Sequence, residues 1–340
     1  MEPIKLPQPE TQIAVDQIVK IFSPCTIFAF GYRNNTNAVS SLLSIQSNIV
    51  TENHHFDFLV LSNKAFQNGG SNIANTIAEN SNKTITASVL LHKVTDLATK
   101  QASQQWFFDN VLHYGQRLCL NTEAPPYLLN NMPTRDIETD TAYWLKCVAV
   151  AQFNLQAAAD SEHLDITLCK TALLNTAATQ LALGLLRVFL GYTPNEFGLK
   201  YLLELCGHFT VLPSQLFQQQ TTEAIRRYKM LCAPTSMLNH WTRLNAAEQD
   251  FNWLLDACTA FSQLATELVA AERRQRPERV RGRVLRRVEH LRVLRRAVVL
   301  VLDEDHREER AVADEAVVER VRAVERAAHG LEVLLEAAAV

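Results

Sequence analysis

The sequence predicts an α+β chain, in which a small α/β domain is followed by an all-α helical bundle. Up to about residue 130, short apolar runs typical of strands alternate with polar segments long enough to form helices. From Thr141 to about Ala271, apolar residues recur at helical spacing without a convincing strand pattern. Residues 121–140 contain three prolines and several turn residues. We therefore predict a domain over 1–125, a linker over 126–140 and a bundle over 141–270.

Three segments of the first domain have the character of strands: "CTIFAFG" (25–31), "HFDFLVLS" (55–62) and "TITASVLLH" (84–92). The second is apolar on both faces, which is typical of the centre of a covered sheet. It also contains Asp57, and aspartate is rarely buried without a partner. We therefore expect Asp57 at a mouth of the sheet, where it could hold a cation or cap a turn.

The second domain has five segments with helical periodicity. They cover residues 141–160, 164–192, 197–206, 213–232 and 238–270. A series of amphipathic helices joined by short connections predicts a helical bundle of about five helices.

Composition excludes several classes of protein. The 340 residues are 47% hydrophobic, yet the most apolar run, 181–192, is interrupted by Arg187 and is shorter than the roughly 18 residues of a membrane span. The first ten residues lack the apolar core of a secretion signal, so we expect a cytoplasmic protein without a membrane partner. The seven cysteines form no Cys-x-x-Cys pair, which favours buried free thiols over zinc or disulfides.

The last segment, 271–340, has a different and much smaller set of residue types. Residues 272–296 contain eleven Arg and three acids, whereas 303–336 contain five Arg and eleven acids. Three interpretations stay open for this charged tail. It could be a charged helical hairpin, an arginine-rich arm for nucleic acid, or the translation of an unrelated GC-rich reading frame.

The two segments "IFAFGYRNN" (27–35) and "HFDFLVLSN" (55–63) resemble the first two strands of a nucleotidyltransferase fold, and "QQWFFDNVLHYGQRLCLN" (104–121) resembles the segment that often closes it. In that family, an apolar strand ends in Gly-Ser, a helix follows, and the second strand carries Asp-x-Asp. The resemblance implies that the glycine turn approaches nucleotide phosphates and that the acids bind magnesium.

A second segment, "KTALLNTAATQLALGLLRVFLGYTPNEFGLKYLLELC" (170–206), resembles the HEPN domain. This helical bundle is commonly fused behind such nucleotidyltransferases in bacteria, and the two resemblances together cover roughly residues 13 to 270. The match includes the turn Gly191-Tyr192-Thr193-Pro194. It implies a bundle that often forms homodimers.

The chain departs from the nucleotidyltransferase pattern at the positions that carry the chemistry. Tyr32 stands where Ser is usual, His55 replaces the first acid of the second strand, and the third strand offers no acid. Asp57 is then the one remaining candidate for a catalytic or metal-binding role, and a single carboxylate beside an imidazole makes a poor Mg²⁺ site. His54 and His55 are adjacent in a strand and should point to opposite faces, which disfavours a shared metal.

The helical half departs from its family pattern in the same way. Asn175, Thr176 and Thr179 stand where His, Gln and Glu are usual. Nuclease members carry Arg followed by His after four to six residues, but Arg227 and His240 are separated by twelve. The sequence thus retains the apolar framework of both families and lacks their polar markers.

Three functions remain open from the sequence. The favoured one is a non-catalytic binding or regulatory protein, in which Gly31, Tyr32, Arg33 and Asp57 form a nucleotide-binding site with weak affinity for nucleotide or RNA. The second is a weakly active nucleotidyltransferase, for which Mg²⁺ at Asp57 would be needed; otherwise no cofactor is expected. The third is an interaction scaffold with both clefts filled by side chains. "QNGGSN" (67–72) also precedes a helix whose N-terminus could bind an anion.

Overall fold

The computed structural model describes residues 6–39, 49–64, 69–120, 135–161, 166–233 and 247–274. Contacts group the chain into two units, 1–267 and 268–340, and of the second unit the described part is 268–274. The charged tail beyond 274, and most of the predicted linker, lie outside the described residues. Division into separate sheet and bundle domains stays a prediction.

The N-terminal part contains a mixed four-stranded sheet. Its strands are β1 (Thr26–Val39), β2 (Ile49–Ser62), β3 (Ile85–Lys93) and β4 (Gln116–Leu120), in the order β3-β2-β1-β4. β1 runs antiparallel to both β2 and β4, whereas β2 and β3 are parallel. The coarse prediction of a sheet followed by helices is confirmed.

The connection between the first two strands differs from the prediction. The polar residues after Gly31 were expected to form a helix, but β1 continues to Val39 and β2 begins at Ile49, pairing with it antiparallel. Cross-strand hydrogen bonds satisfy the backbone of these polar segments without an apolar helical face to bury. This extension also places Asp57 well inside β2, so its expected position at a mouth of the sheet is wrong.

Helices cover both faces of the sheet. On one face, α1 (Gln8–Phe22) and α2 (Gly69–Asn80) enclose an apolar core with alternate residues of β1, β2 and β3. This core includes Ile18, Phe56 and Ile73. On the other face lie α3 (Ala102–Tyr114) and residues of the helical part. Burial on both faces explains the nearly continuous apolar pattern of β2.

The helical part has more elements than the five predicted segments. The described residues form α4 (Ile137–Asp160), α5 (Thr167–Leu190), α6 (Leu199–Cys206), α7 (Leu212–Leu216), α8 (Thr222–Leu231) and α9, over 248–274. The predicted helix 213–232 is wrong as a single element, because residues 217–221 interrupt it and Thr221 caps α8. α4 begins inside the predicted linker, where Asp136 caps its N-terminus.

α5 is the central helix of this part, and among the described residues it is the one long and apolar enough to cross a membrane. Most of its apolar window, 61%, is buried within the structure. Such burial is typical of a core helix in a soluble protein, so its length and composition are weak evidence for a span. Arg187, which interrupts the apolar run, is itself buried and ion-paired with Asp140.

All seven cysteines are free thiols, as predicted. Four are buried and two are partly buried, whereas Cys169 is exposed. Burial raises the pKa of the Cys147 thiol to about 11.

Candidate functional site

A polar group surrounds Asp57 on the sheet face that the helical part covers. We call it the Asp57 cluster; its members are Arg33, His55, Asp57, Ser88 and His208. Arg33 Nη2 lies 3.4 Å from Asp57 Oδ1, and His208 Nδ1 lies 3.3 Å from Asp57 Oδ2. His55 Nε2 is 3.4 Å from Oδ1 and hydrogen-bonds to the Ser88 hydroxyl at 2.9 Å. Both carboxylate oxygens of Asp57 are therefore engaged by nitrogen donors.

Asp57 has no solvent-exposed side-chain surface, whereas the side chains of Arg33 and His208 are 32% and 27% exposed. Burial alone would raise the pKa of Asp57. The hydrogen bonds of His208 and His55, with the charges of His55 and Arg33, outweigh that effect and hold the pKa well below its usual value. Asp57 is therefore ionised at neutral pH and is compensated by its neighbours rather than by water.

Two glycines allow the sheet and the helical part to meet at this cluster. Gly31 is paired with Asp57 across β1 and β2, and a Cβ atom at Gly31 would lie 2.6 Å from His208 Nδ1 and even closer to Asp57 Oδ2. A Cβ atom at Gly207, in the turn after α6, would overlap the guanidinium of Arg33. The missing side chains thus leave the space that Arg33 and His208 occupy.

Tyr32 does not share the site with its predicted neighbours. It points to the opposite face of the sheet, where it packs against the apolar core and its hydroxyl hydrogen-bonds to His54 Nδ1 at 2.8 Å. Of the four predicted nucleotide-binding residues, Gly31, Arg33 and Asp57 lie together. His54 and His55 lie on opposite faces, as predicted from the alternation of a strand.

The predicted anion position at the start of α2 is occupied by a side chain of the same protein. The Glu196 carboxylate accepts hydrogen bonds from the backbone N–H groups of Gly70, at 2.8 Å, and Ser71, at 3.0 Å, and from the Ser71 hydroxyl. A carboxylate at a helix N-terminus is favoured by the unpaired N–H groups and the helix dipole. This contact joins the connection between α5 and α6 to the start of α2.

Arg227, the arginine considered for a nuclease site, and its neighbour Arg226 are held in structural ion pairs. Arg226 Nη2 and Arg227 Nε each lie 2.8 Å from a carboxylate oxygen of Asp250 at the start of α9. His240 lies outside the described residues. Asp109 and His113 are an i,i+4 pair on α3, at 3.6 Å, with His113 mostly exposed.

The Asp57 cluster does not fit the magnesium site that the nucleotidyltransferase resemblance implies. Magnesium requires oxygen ligands in near-octahedral geometry, but the atoms that converge on Asp57 are guanidinium and imidazole nitrogens. Over the described ranges, no group of three or more His, Cys, Asp and Glu side chains is arranged to hold a metal ion. A bound cation would have to displace Arg33, with which it would compete for the same carboxylate.

No protein-family model matches this chain, and no curated protein is significantly similar to it. The relation to nucleotidyltransferases and to HEPN domains therefore stays a hypothesis carried by the quoted motifs.

The sequence did not indicate His208 as a member of the site. It lies 151 residues from Asp57 and belongs to no recognisable motif. The one feature of the sequence that pointed to such a residue was Asp57 itself, because a carboxylate in an apolar strand requires a partner from elsewhere in the chain.

The close approach of His208 to Asp57 predicts a specific effect at Gly31. Gly31→Ala should lower the free energy of unfolding by about 1–2 kcal/mol, because the added methyl must displace His208 or Asp57. Urea denaturation followed by circular dichroism measures the change. Gly198→Ala is the matched control, since a Cβ there meets nothing within 4 Å. Equal stability of the two variants would contradict the packing described for Gly31.

Proposed function

We propose that this protein is a non-catalytic binding or regulatory protein of the nucleotidyltransferase–HEPN type. The observation that carries the proposal is the state of Asp57: it is fully buried, and both its carboxylate oxygens contact Arg33, His55 or His208. A catalytic carboxylate needs a free oxygen for the metal that positions the nucleotide phosphates. Asp57 instead connects the sheet to the turn after α6 through its contact with His208.

The proposal predicts that the purified protein does not transfer nucleotides. Incubation with radiolabelled ATP and Mg²⁺ or Mn²⁺ should label neither the protein nor added RNA, and Mg²⁺ should bind no tighter than about millimolar, because Arg33 occupies its place. A labelled product that disappears in Asp57→Asn would overturn the proposal in favour of the weakly active transferase.

Weak nucleotide binding is supported by the state of Arg33. Its side chain is one-third exposed, and among the described residues its Nε atom is buried without a hydrogen-bond partner. A phosphate oxygen that reached this atom would satisfy the unused donor. The carboxylate of Asp57 next to it limits the attraction for an anion, so we expect a dissociation constant for ATP near millimolar.

A titration by calorimetry without added metal tests this expectation. Arg33→Gln should abolish ATP binding, whereas Arg117→Gln, which removes an exposed arginine from β4 of the same sheet, should leave it unchanged. Circular dichroism checks that both variants are folded. Absence of ATP binding by the wild-type protein would favour the alternative of a pure interaction scaffold, since the residues around Asp57 would then be fully explained by packing.

A further inference from the structure

Arg33 connects strand β1 to the C-terminal end of helix α6. Its Nη2 atom lies 3.4 Å from Asp57 Oδ1 in β2 and donates a hydrogen bond, at 3.2 Å, to the backbone carbonyl of Glu204 in the last turn of α6. The missing side chain of Gly207, directly after that turn, leaves the space that the guanidinium occupies. One side chain of the sheet thus contacts both Asp57 and the helical part.

The position of the Arg33 guanidinium is favourable for α6. A helix leaves its last carbonyl groups without intrahelical partners, and a positive charge near them is stabilising. The last turn of α6 has no basic residue of its own. Arg33 supplies that charge from another element, and Arg135 contacts the last turn of α5 in a similar way.

The contacts that hold Arg33 at α6 are long. Their distances of 3.4 and 3.2 Å exceed the 2.6 Å between Arg187 Nε and Asp140 Oδ1, and hydrogen bonds between charged groups are usually about 2.7–2.9 Å. Among the described residues, Arg33 Nε has no hydrogen-bond partner. A phosphate group can bind Arg33 more strongly, because two of its oxygens match the Nε and Nη donors on one edge of a guanidinium.

Arg33 cannot make both sets of contacts at once. Its Nε atom is buried although one-third of the side chain is exposed, so a phosphate reaches this atom only when the guanidinium moves away from Gly207 and α6. The bidentate contact with a phosphate and the contact with the Glu204 carbonyl are therefore alternatives.

We propose that a bound nucleotide draws Arg33 away from the last turn of α6 and thereby loosens the turn that follows this helix, residues 207–210. This turn carries His208, the partner of Asp57 from the helical part. Occupancy of the nucleotide site is then coupled to the order of a segment in the helical part, which is a link that a regulatory protein needs. The inference rests on the proposed binding of nucleotide at Arg33.

Amide hydrogen exchange tests this coupling, because the backbone N–H groups of residues 207–210 all donate to carbonyl groups of residues 203–206. Without metal, at about 10 mM ATP, roughly ten times the expected dissociation constant, this turn should exchange about three- to fivefold faster than without ATP. A nucleotide that binds without releasing Arg33 would leave the exchange unchanged or slow it, since ligands of the folded state oppose its opening. Mass spectrometry of the full chain measures the rates, with sodium chloride of matched ionic strength as the reference.

The end of α5 provides a matched internal control. Its last turn is also contacted by an arginine from outside the helix, Arg135, and the N–H groups of Gly191 and Tyr192 donate to carbonyl groups of α5. ATP should leave their exchange unchanged. If calorimetry shows that ATP binds, but it accelerates both helix ends or neither, the inference is wrong and the proposed function stands. If ATP does not bind at all, both are wrong.

Gly207→Ala tests the same coupling in the opposite direction. Gly207 has a φ angle of −57°, so alanine causes no backbone strain there, but its Cβ would overlap the Arg33 guanidinium and push it away from α6. Without the competing contact, the variant should bind ATP about three- to fivefold more tightly than the wild type.

Gly198→Ala, at the other end of α6, is the control for Gly207→Ala. A Cβ at Gly198 meets nothing within 4 Å, so this variant should bind ATP like the wild type. Circular dichroism confirms that both variants are folded. If Gly207→Ala binds ATP no more tightly than Gly198→Ala does, Arg33 does not have to leave α6 for the nucleotide to bind, which overturns the inference.

Discussion

Replacing Asp140 by Asn should lower the free energy of unfolding by about 3–5 kcal/mol. Asp140 is 1% exposed and lies between two arginines, with its Oδ2 2.6 Å from Arg135 Nε and its Oδ1 2.6 Å from Arg187 Nε. An amide at this position leaves both guanidinium groups without their shared negative charge. Neither group can be rehydrated without opening the junction of α4 and α5.

The two arginines also carry the contacts that terminate α5. Arg135 donates to the carbonyl groups of Arg187 and Val188 in the last turn of the helix. Arg187 Nη2 reaches Gln101 at 3.1 Å, so the loss of Asp140 should also loosen the start of α3.

Urea unfolding measures the effect of Asp140→Asn. Glu138→Gln is the control, because it removes one negative charge from an exposed position on the same helical turn and should change stability by less than about 0.5 kcal/mol. If Asp140→Asn lowers the free energy of unfolding by less than about 1 kcal/mol, other groups must stabilise the two guanidinium charges.

Stability should fall as the pH is lowered from about 7 towards 3, and His92 should account for a large share of this loss. His92 is buried between β3 and the turn after α5: its Nε2 lies 2.7 Å from the Tyr192 hydroxyl and its Nδ1 lies 3.2 Å from Asn195 Nδ2. Burial, with a smaller effect of the charge on Lys100, lowers its pKa from 6.5 to about 3. The folded protein thus keeps His92 neutral.

The sign of the effect follows from proton uptake. Between pH 6.5 and pH 3, the unfolded chain binds a proton at His92 and the folded chain does not, so acid favours unfolding. At 1.36 kcal/mol per pKa unit, His92 should cost about 2 kcal/mol between pH 7 and pH 5 and about 5 kcal/mol below pH 3.

His92→Gln removes this titration while keeping hydrogen-bonding groups at the position. The variant should be less stable than the wild type at pH 7, but its unfolding free energy should fall by about 2 kcal/mol less between pH 7 and pH 5. The control is His113→Gln, in which an exposed histidine is replaced and the pH dependence should hardly change. Parallel pH profiles for the wild type and His92→Gln would show that the folded protein binds a proton at His92 as readily as the unfolded chain does, which contradicts the lowered pKa.

Local patterns predicted the elements with strong apolar periodicity. The apolar part of β2, the strand β3 and the long helices α4 and α5 lie close to their predicted positions, because burial of an apolar face dominates their folding. β4 was not predicted as a strand, since its five residues gain stability from pairing with β1 rather than from their own pattern. The polar ends of β1 and β2 were missed for the same reason.

The candidate site was predictable in part. Gly31, Arg33 and Asp57 were predicted as neighbours, and strand pairing places them together. Tyr32 was grouped with them because it adjoins them in sequence, but strand alternation turns it to the opposite face. His208 and Glu196 lie in turns of the helical part, and no local pattern could relate them to the sheet.

The sequence by itself determined that the chain has a sheet-forming part and a helical part, and that Asp57 has no second acid beside it. Those properties depend on residues near one another in the chain, through apolar periodicity and motif spacing. The tertiary structure decided what compensates the buried charges: His208 and Arg33 hold Asp57, Arg135 and Arg187 hold Asp140, and Glu196 caps α2. Such partners are set by long-range packing. A buried charge requires an opposite charge or a hydrogen bond, but the residue that supplies it can lie at any distance along the sequence.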